Sequence, residues 1–408
     1  MSNFQEKLDK YAELIVKVGV NVQKGQEVLV SANLESAPLV RLVAKHAYEI
    51  GAKNVHIDWA DDVLTRLKYE KADEEVFKEV PEWKVKEKEE LAEKGAAFIS
   101  IVSNNPDLLK GIDPERISNF QKASGKALNK FRQYVQSDKV SWTVVAAASQ
   151  AWAEKVFPND NQCIEKLWDA IFSSTRIDTE DPVQAWKDHD QTLHRKVDIL
   201  NNKKYKMLHY KAPGTDLTIK LPEKHIWIGA GSENEQGVDF MANMPTEEVF
   251  TAPQKDGIDG YVSSTKPLSY GGNLIDNFTV TFENGRIVDV KAEQGEDILK
   301  RLVETDEGSH YIGEVALVPH QSPISQSNIL FYNTLFDENA SNHLAIGSAY
   351  AFCIEGGKQM NEEELGNNGL NISITHVDFM IGSEEMDIDG ILADGTREAI
   401  FRNGNWAF

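Results

Sequence analysis

Val28-Leu-Val-Ser-Ala-Asn33, then Ser36-Ala-Pro38 running on to Gly51, then Asn54-Val-His-Ile-Asp-Trp59, is the stretch on which the fold turns. Val28, Leu29 and Val30 form a short apolar strand that Asn33 closes. Ser36 and Pro38 mark a helix start, and Val40, Leu42, Val43 and Ala47 carry the helix to Gly51. Asn54–Trp59 then reads as a second strand. Strand, helix and strand in succession make a parallel crossover unit. Upstream, Phe4, Leu8, Tyr11, Ile15 and Val18 recur at helical spacing. Downstream, Ala96–Val102 and Val140–Ala147 are two further apolar runs, and the Lys- and Glu-rich tract Glu82–Lys94 is a solvated helix face. Residues 1 to about 160 therefore read as an open α/β layer.

Two amphipathic helices follow, near Gln162–Ser173 and Pro182–Leu200. After Asn201 the pattern changes to strands and hairpins, with one helix around Asp297–Glu304. Asn284-Gly285, Asp394-Gly395 and Asn403-Gly404 sit between β-rich runs, as type I′ turns do. The expected fold class is α/β and α+β, with an N-terminal open α/β domain over 1–200 and a β-rich C-terminal domain over 201–408.

The 408 residues carry 65 acidic and 43 basic side chains, a net charge of −22. That field repels phosphate backbones and anionic lipid, so neither nucleic acid nor a membrane surface is an expected partner. Cationic partners, divalent metals and free amines among them, suit it. Two cysteines, Cys163 and Cys353, give no disulfide framework and no thiolate zinc site. No run reaches the ~18 apolar residues of a membrane span, and the start is not patterned as a signal peptide. The expected location is cytoplasmic. No dinucleotide loop, phosphate loop, Gly-x-Ser-x-Gly elbow or His-Glu-x-x-His is present.

Four places in the second half carry potential ligands in apolar or turn-rich surroundings. His376-Val-Asp378 lies in an apolar strand, where positions i and i+2 share a face. Its carboxylate needs a partner if buried; a cation or the histidine itself would serve. Glu247-Glu248 sits between Pro245 and Pro253 in an extended stretch, where the two acids would face opposite ways or simply lie at the surface. Glu314 opens the apolar run Tyr311–Pro319, either buried with a partner or turned to solvent at the strand end. His343 lies in Asn339–Tyr350, a helix-like stretch that would bring Tyr350 two turns along the same face; a capping or packing histidine is the plain alternative. Together these amount to a His/carboxylate set without thiols, which suits zinc, cobalt or manganese and, less well, magnesium. Five ligands exceed the four of one tetrahedral zinc, so two ions sharing one carboxylate are expected.

Asn243-Met-Pro-Thr-Glu-Glu-Val-Phe-Thr-Ala-Pro253, Gly313-Glu-Val-Ala-Leu-Val-Pro319, Asn342-His-Leu-Ala-Ile-Gly347 with Tyr350, and Thr375-His-Val-Asp378 occur in that order. With the Tyr11–Val16 pattern and the chain length, they make the sequence resemble the aminopeptidase T/aminopeptidase S (PepS-like) group of bacterial metallopeptidases over essentially its whole length. The resemblance implies a cytoplasmic, homodimeric exopeptidase acting on peptides with a free N-terminus. It implies two divalent ions per subunit (Zn2+, Co2+ or Mg2+) and a catalytic, metal-binding C-terminal domain. Carried over by motif, Glu248, Glu314, His343, His376 and Asp378 are the metal ligands, with Glu314 bridging, and Tyr350 stands beside the metals. The mechanism expected is attack by a water activated between the ions, Tyr350 donating to the oxyanion and Glu247 moving the proton. The alternatives are a non-catalytic acidic metal- or peptide-binding protein, or a dinuclear hydrolase of another amide or ester.

Overall fold

The computed structural model describes residues 4–103, 105–270 and 273–408. The chain forms two compact units. One runs to Asp188 and takes in Gly231–Pro245; the other comprises His189–Ala230 and Thr246–Phe408.

In the first unit, strands Glu27–Asn33, Asn54–Ala60, Ala97–Val102 and Trp142–Ala146 form a parallel sheet in the order second, first, third, fourth. The first strand is central because Val28, Leu29 and Val30 are apolar and buried on both faces, as an inner parallel strand requires. Helix Ala37–Ile50 begins with Pro38 in its first turn and ends at Gly51, whose φ of 104° is a left-handed cap. Helix Phe4–Leu14 buries Leu8, Tyr11, Ala12 and Leu14. The Tyr11 hydroxyl donates to the Ala146 carbonyl at 3.0 Å and accepts from the Ala146 N–H at 3.2 Å, so this buried phenol is satisfied. The returning segment Gly231–Pro245 lies along the free edge of the Trp142–Ala146 strand. There Val144 N–H bonds the Ala242 carbonyl and Met244 N–H bonds the Val144 carbonyl. Helix Glu82–Glu93 is solvated except at Leu91 and Ala92, as its composition implied.

Residue 200, where the sequence suggested a divide, lies within helix Pro182–Lys203. Leu193 and Leu200 of that helix pack in the core of the second unit. Among the described residues this unit holds a nine-stranded and a five-stranded antiparallel sheet over one apolar core. Asn284-Gly285 and Asn403-Gly404 are both left-handed at both residues, the backbone of type I′ turns. Asp394-Gly395 is not. Only Gly395 has positive φ, the Asp394 carboxylate accepts the Thr396 N–H at 2.9 Å, and Leu392 N–H bonds the Thr396 carbonyl. The side chain's own hydrogen bond selects the other turn. Helix Glu296–Val303 is present as expected and buries Leu299, Leu302 and Val303.

The helix expected across 339–350 is a strand. His343–Gly347 is buried at all five positions and lies between its neighbours in the five-stranded sheet. A strand covered on both faces has no polar alternation, so its period cannot be separated from that of a short buried helix. The sheet runs His376–Met380, His343–Gly347, Ile312–Leu317, Val249–Thr251 and Ile228–Gly229, every neighbouring pair antiparallel.

Gly347 closes the His343 strand with φ 114°, and a Cβ there would stand 2.3 Å from the Thr375 carbonyl oxygen, one residue before His376. Gly347→Ala combines left-handed strain with a backbone clash. It is expected to cost about 2–3 kcal/mol, read as a lower urea midpoint; an unchanged midpoint would show that this corner relaxes freely.

Candidate metal centre

Strand parity gathers the candidate residues. Glu314 pairs with Ala345, which pairs with Asp378; Ala316 pairs with His343; Gly347 pairs with His376. Directly opposed residues share a sheet face, as do positions i and i+2. Glu314, His343, His376 and Asp378 therefore project from one face. Phe250 pairs with Ala316, and Glu248, two residues before it, falls on that face too. The alternate positions Val249, Val315, Leu317, Leu344, Ile346 and Phe379 point the other way and fill the core. Ala345 stands between Glu314 and Asp378 and Ala316 beside His343, both small and fully buried, which leaves room among the polar side chains.

The geometry centres on Glu314. Its Oε1 lies 3.5 Å from His343 Nε2, and its Oε2 lies 3.7 Å from His376 Nε2. His343 Nε2 is also 3.2 Å from Glu248 Oε2, and His376 Nε2 is 3.5 Å from Asp378 Oδ1. Two groups can hold a metal ion, Glu248/Glu314/His343 and Glu314/His376/Asp378, and in each the ligand atoms lie within 4.8 Å of one another. Each imidazole is oriented from behind. His343 Nδ1 contacts the Ser341 carbonyl at 3.1 Å and His376 Nδ1 the Ser348 carbonyl at 2.7 Å. A carbonyl accepts only from a protonated nitrogen, so both rings keep Nε2 as the free donor atom toward the cluster.

The electrostatics fit divalent cations. Burial pushes the Glu314 carboxyl above its ordinary value; the hydrogen bond to His343 pulls it back, and Asp378 and Glu248 push it up again. Burial opposes the charged forms of His343 and His376. Glu248 and Glu314 outweigh it at His343, Asp378 and Glu314 do so at His376, and both rings bind protons above the usual range. The Oδ1 atom of Asp378 is buried without a hydrogen-bond partner. A His/carboxylate donor set of high proton affinity with an orphaned carboxylate oxygen is what a divalent ion would satisfy, displacing protons as it binds.

Tyr350 reaches the same cluster by another route than a helix. It follows the His343 strand and caps the short turn Ala351–Cys353. Its ring stacks on Phe352 at 5.0 Å and lies 4.8 Å from the His376 ring. Burial, then the charges of Glu314 and Asp378, raise its pKa, so the phenol stays a hydrogen-bond donor. Glu247 is buried, but its carboxylate lies 3.6 Å from His189 Nε2 and falls in neither metal-capable group. Glu338 is a residue the sequence reading missed. Burial and the charges of Glu248, Asp378 and Glu314 hold its carboxyl well above the ordinary value, with His343 opposing them. The signal was available: Leu335-Phe-Asp-Glu-Asn-Ala340 sets acids among apolar residues, as around Glu314.

The family model for thermophilic metalloprotease (M29) matches residues 4–406. The chain is 71% identical to Aminopeptidase AmpS of Bacillus subtilis (strain 168) and 42% identical to Aminopeptidase T of Thermus aquaticus, each alignment covering 100% of both proteins. It is 54% identical to Aminopeptidase 2 of Geobacillus stearothermophilus, covering 100% of this chain and 99% of that one. Among solved structures, wild-type AmpT from Thermus thermophilus matches with a TM-score of 0.94 at 40% identity, over 100% of each chain. With the sheet, the clustered acids and histidines and the full-length match in agreement, the chain belongs to the M29 family of thermophilic metalloproteases.

Proposed function

We propose that the protein is a metal-dependent aminopeptidase that releases N-terminal amino acids from peptides. The relatives named as aminopeptidases support this reading. The observation that carries it furthest is the position of Glu314, which offers one oxygen to each of two metal-capable groups. We assign Glu248, Glu314 and His343 to one divalent ion and Glu314, His376 and Asp378 to a second, with zinc, cobalt or magnesium as the ions. We propose that the 201–408 half binds the metal and carries the catalysis. We further propose a cytoplasmic homodimer acting on peptides with a free N-terminus. No helix among the described residues is long and apolar enough to cross a membrane.

Divalent ions held there would supply a water of lowered pKa and a Lewis acid for the scissile carbonyl. The chain's own groups do the rest. Tyr350, kept protonated by its surroundings, donates a hydrogen bond to the oxyanion. A carboxylate outside the ligand set takes the proton of the attacking water and returns it to the leaving amine. Glu247, backed by His189, is one such group. Glu338, whose carboxyl is raised by burial and by the charges of Glu248 and Asp378, is another.

Hydrolysis of Leu-, Arg- and Met-p-nitroanilide is expected to vanish with chelator and return with cobalt or zinc. A fully metal-loaded protein without turnover on any of these substrates would favour the acidic binding-protein alternative. Glu314→Gln should lose bound metal and activity together, and normal turnover by that variant would rule out the assignment. Tyr350→Phe should keep its metal and lose turnover by roughly a hundredfold, the effect of one oxyanion donor; equal kcat to the parent would remove Tyr350 from the reaction. Ala345→Leu places a branched side chain between Glu314 and Asp378. Its folded protein should bind metal at least about tenfold more weakly at an overpacking cost of about 1–3 kcal/mol, and unchanged metal content would show the space to be elsewhere.

A further inference from the structure

We propose that Asn339 is a positioning residue that sets the spacing of two acid-bearing segments of the centre; this rests on the metal-site reading above. Asn339 is wholly buried. Its side-chain Oδ1 accepts the backbone N–H of Glu247 at 2.7 Å, one residue before Glu248. Its Nδ2 donates to the Leu335 carbonyl at 3.0 Å, within the short helix Thr334–Asp337 that leads into Glu338. Its own carbonyl accepts from the Ser322 hydroxyl at 3.0 Å, and that hydroxyl also caps the helix Pro323–Ser327 by accepting the Ser325 N–H at 3.1 Å.

One planar amide thus ties the Glu247–Glu248 backbone to the turn bearing Glu338, while a serine holds the amide's own backbone in place. The two acids come from segments about 90 residues apart in sequence. The Glu248 strand pairs through Val249, Phe250 and Thr251 only, so Glu248 itself lies beyond the ladder. The Asn339 contact to its neighbour adds a constraint just ahead of the paired residues. An asparagine fits because the join needs an acceptor and a donor in one rigid plane. Removing it frees both segments and leaves a buried N–H unpaired. Carboxylate–metal geometry tolerates little such freedom, and groups that orient ligands typically change metal affinity by 10–100-fold when removed.

The test compares Asn339→Ala with Asn201→Ala in the metal-loaded enzyme. Asn201 makes a similar two-bond bridge to the backbone N–H and carbonyl of Trp227, in the same unit. The readouts are the metal dissociation constant by chelator competition and the melting temperature in excess chelator. Asn339→Ala is expected to weaken metal binding about tenfold or more, with a chelated melting temperature lowered no further than in Asn201→Ala, whose metal affinity stays at the parent value. Ser322→Ala, which removes the support of the Asn339 carbonyl together with the cap of the Pro323–Ser327 helix, should fold and weaken metal binding by about threefold; it carries the test if Asn339→Ala does not fold. Parent-like metal affinity in the folded variants would overturn the proposal, as would an equal loss in Asn201→Ala. If Glu314→Gln binds metal normally, the metal-site reading itself fails, whatever the Asn339 variants do.

Discussion

The structure of the second unit depends on one constraint: three carboxylates and two imidazoles are gathered on a single sheet face, three of the five buried and His376 and Asp378 partly so. Isolated ionised carboxylates are costly to take out of water, and like charges at such short range raise that cost. Glu314 is the extreme case, being buried within reach of both Glu248 and Asp378. A cluster like this persists only with positive charge beside it. Protons on His343 and His376 supply some, and divalent ions supply more. The surrounding framework is rigid accordingly. Ser341 and Ser348 carbonyls aim the rings. Asp306, whose carboxylate accepts from Ser309, Ser373 and the Ile374 N–H, braces the approach to the His376 strand. Burial disfavours the charge of Asp306, yet those hydrogen bonds prevail and bring it down to about 2.

The sheet solves the problem of carrying charge and core at once. Along the strands that carry Glu314, His343 and His376, alternate residues such as Val315, Leu317, Leu344, Ile346 and Phe379 are large and apolar and face the common core, while the intervening positions supply the acids and imidazoles, with Ala316 and Ala345 among them. Antiparallel pairing then converts separate short motifs into a single patch, because the register fixes which residues stand opposite one another. The irregularity between Ile312 and Glu314, at Gly313, belongs to this design. A Cβ at Gly313 would stand 2.2 Å from the Ser348 oxygen, so only glycine allows the Glu314 strand to approach the corner after Gly347.

How far this was legible in the sequence follows from the range of each signal. His376 and Asp378 were readable because two residues on one strand share a face whatever the rest of the chain does. Glu314 was readable as an acid in an apolar run. The order and spacing of the motifs joined them through the family resemblance. His343 was identified, but its strand was taken for a helix, because a run buried on both faces carries no period. Tyr350 was placed beside the site for a geometric reason that does not hold; its position comes from a turn and from ring packing on Phe352 and His376. The parallel layer of the first unit was legible from its alternation of strands and helices. The return of Gly231–Pro245 to that unit was not, since its pairing with Val144 is a contact across about 100 residues. Glu338 stands in a segment that sets acids among apolar residues, but its significance comes from what the fold brings against it.

The two metal-capable groups are not equivalent, and the difference bears on chemistry. Glu248, Glu314 and His343 are all buried, whereas His376 and Asp378 are only partly so. His376 has 22% of its side chain exposed against 1% for His343. The more open histidine is also the one that meets the Tyr350 ring. On the proposed reading, the first group is the closed position that fixes Glu314, and the second faces the substrate. Closed sites hold their ligand sets full while reactive ones keep a place for water or substrate, and here that contrast arises from strand position. His343 lies on an inner strand covered from both sides, and His376 on the edge strand of the sheet. The edge position leaves His376 more open than His343, and the Tyr350 ring stands beside it.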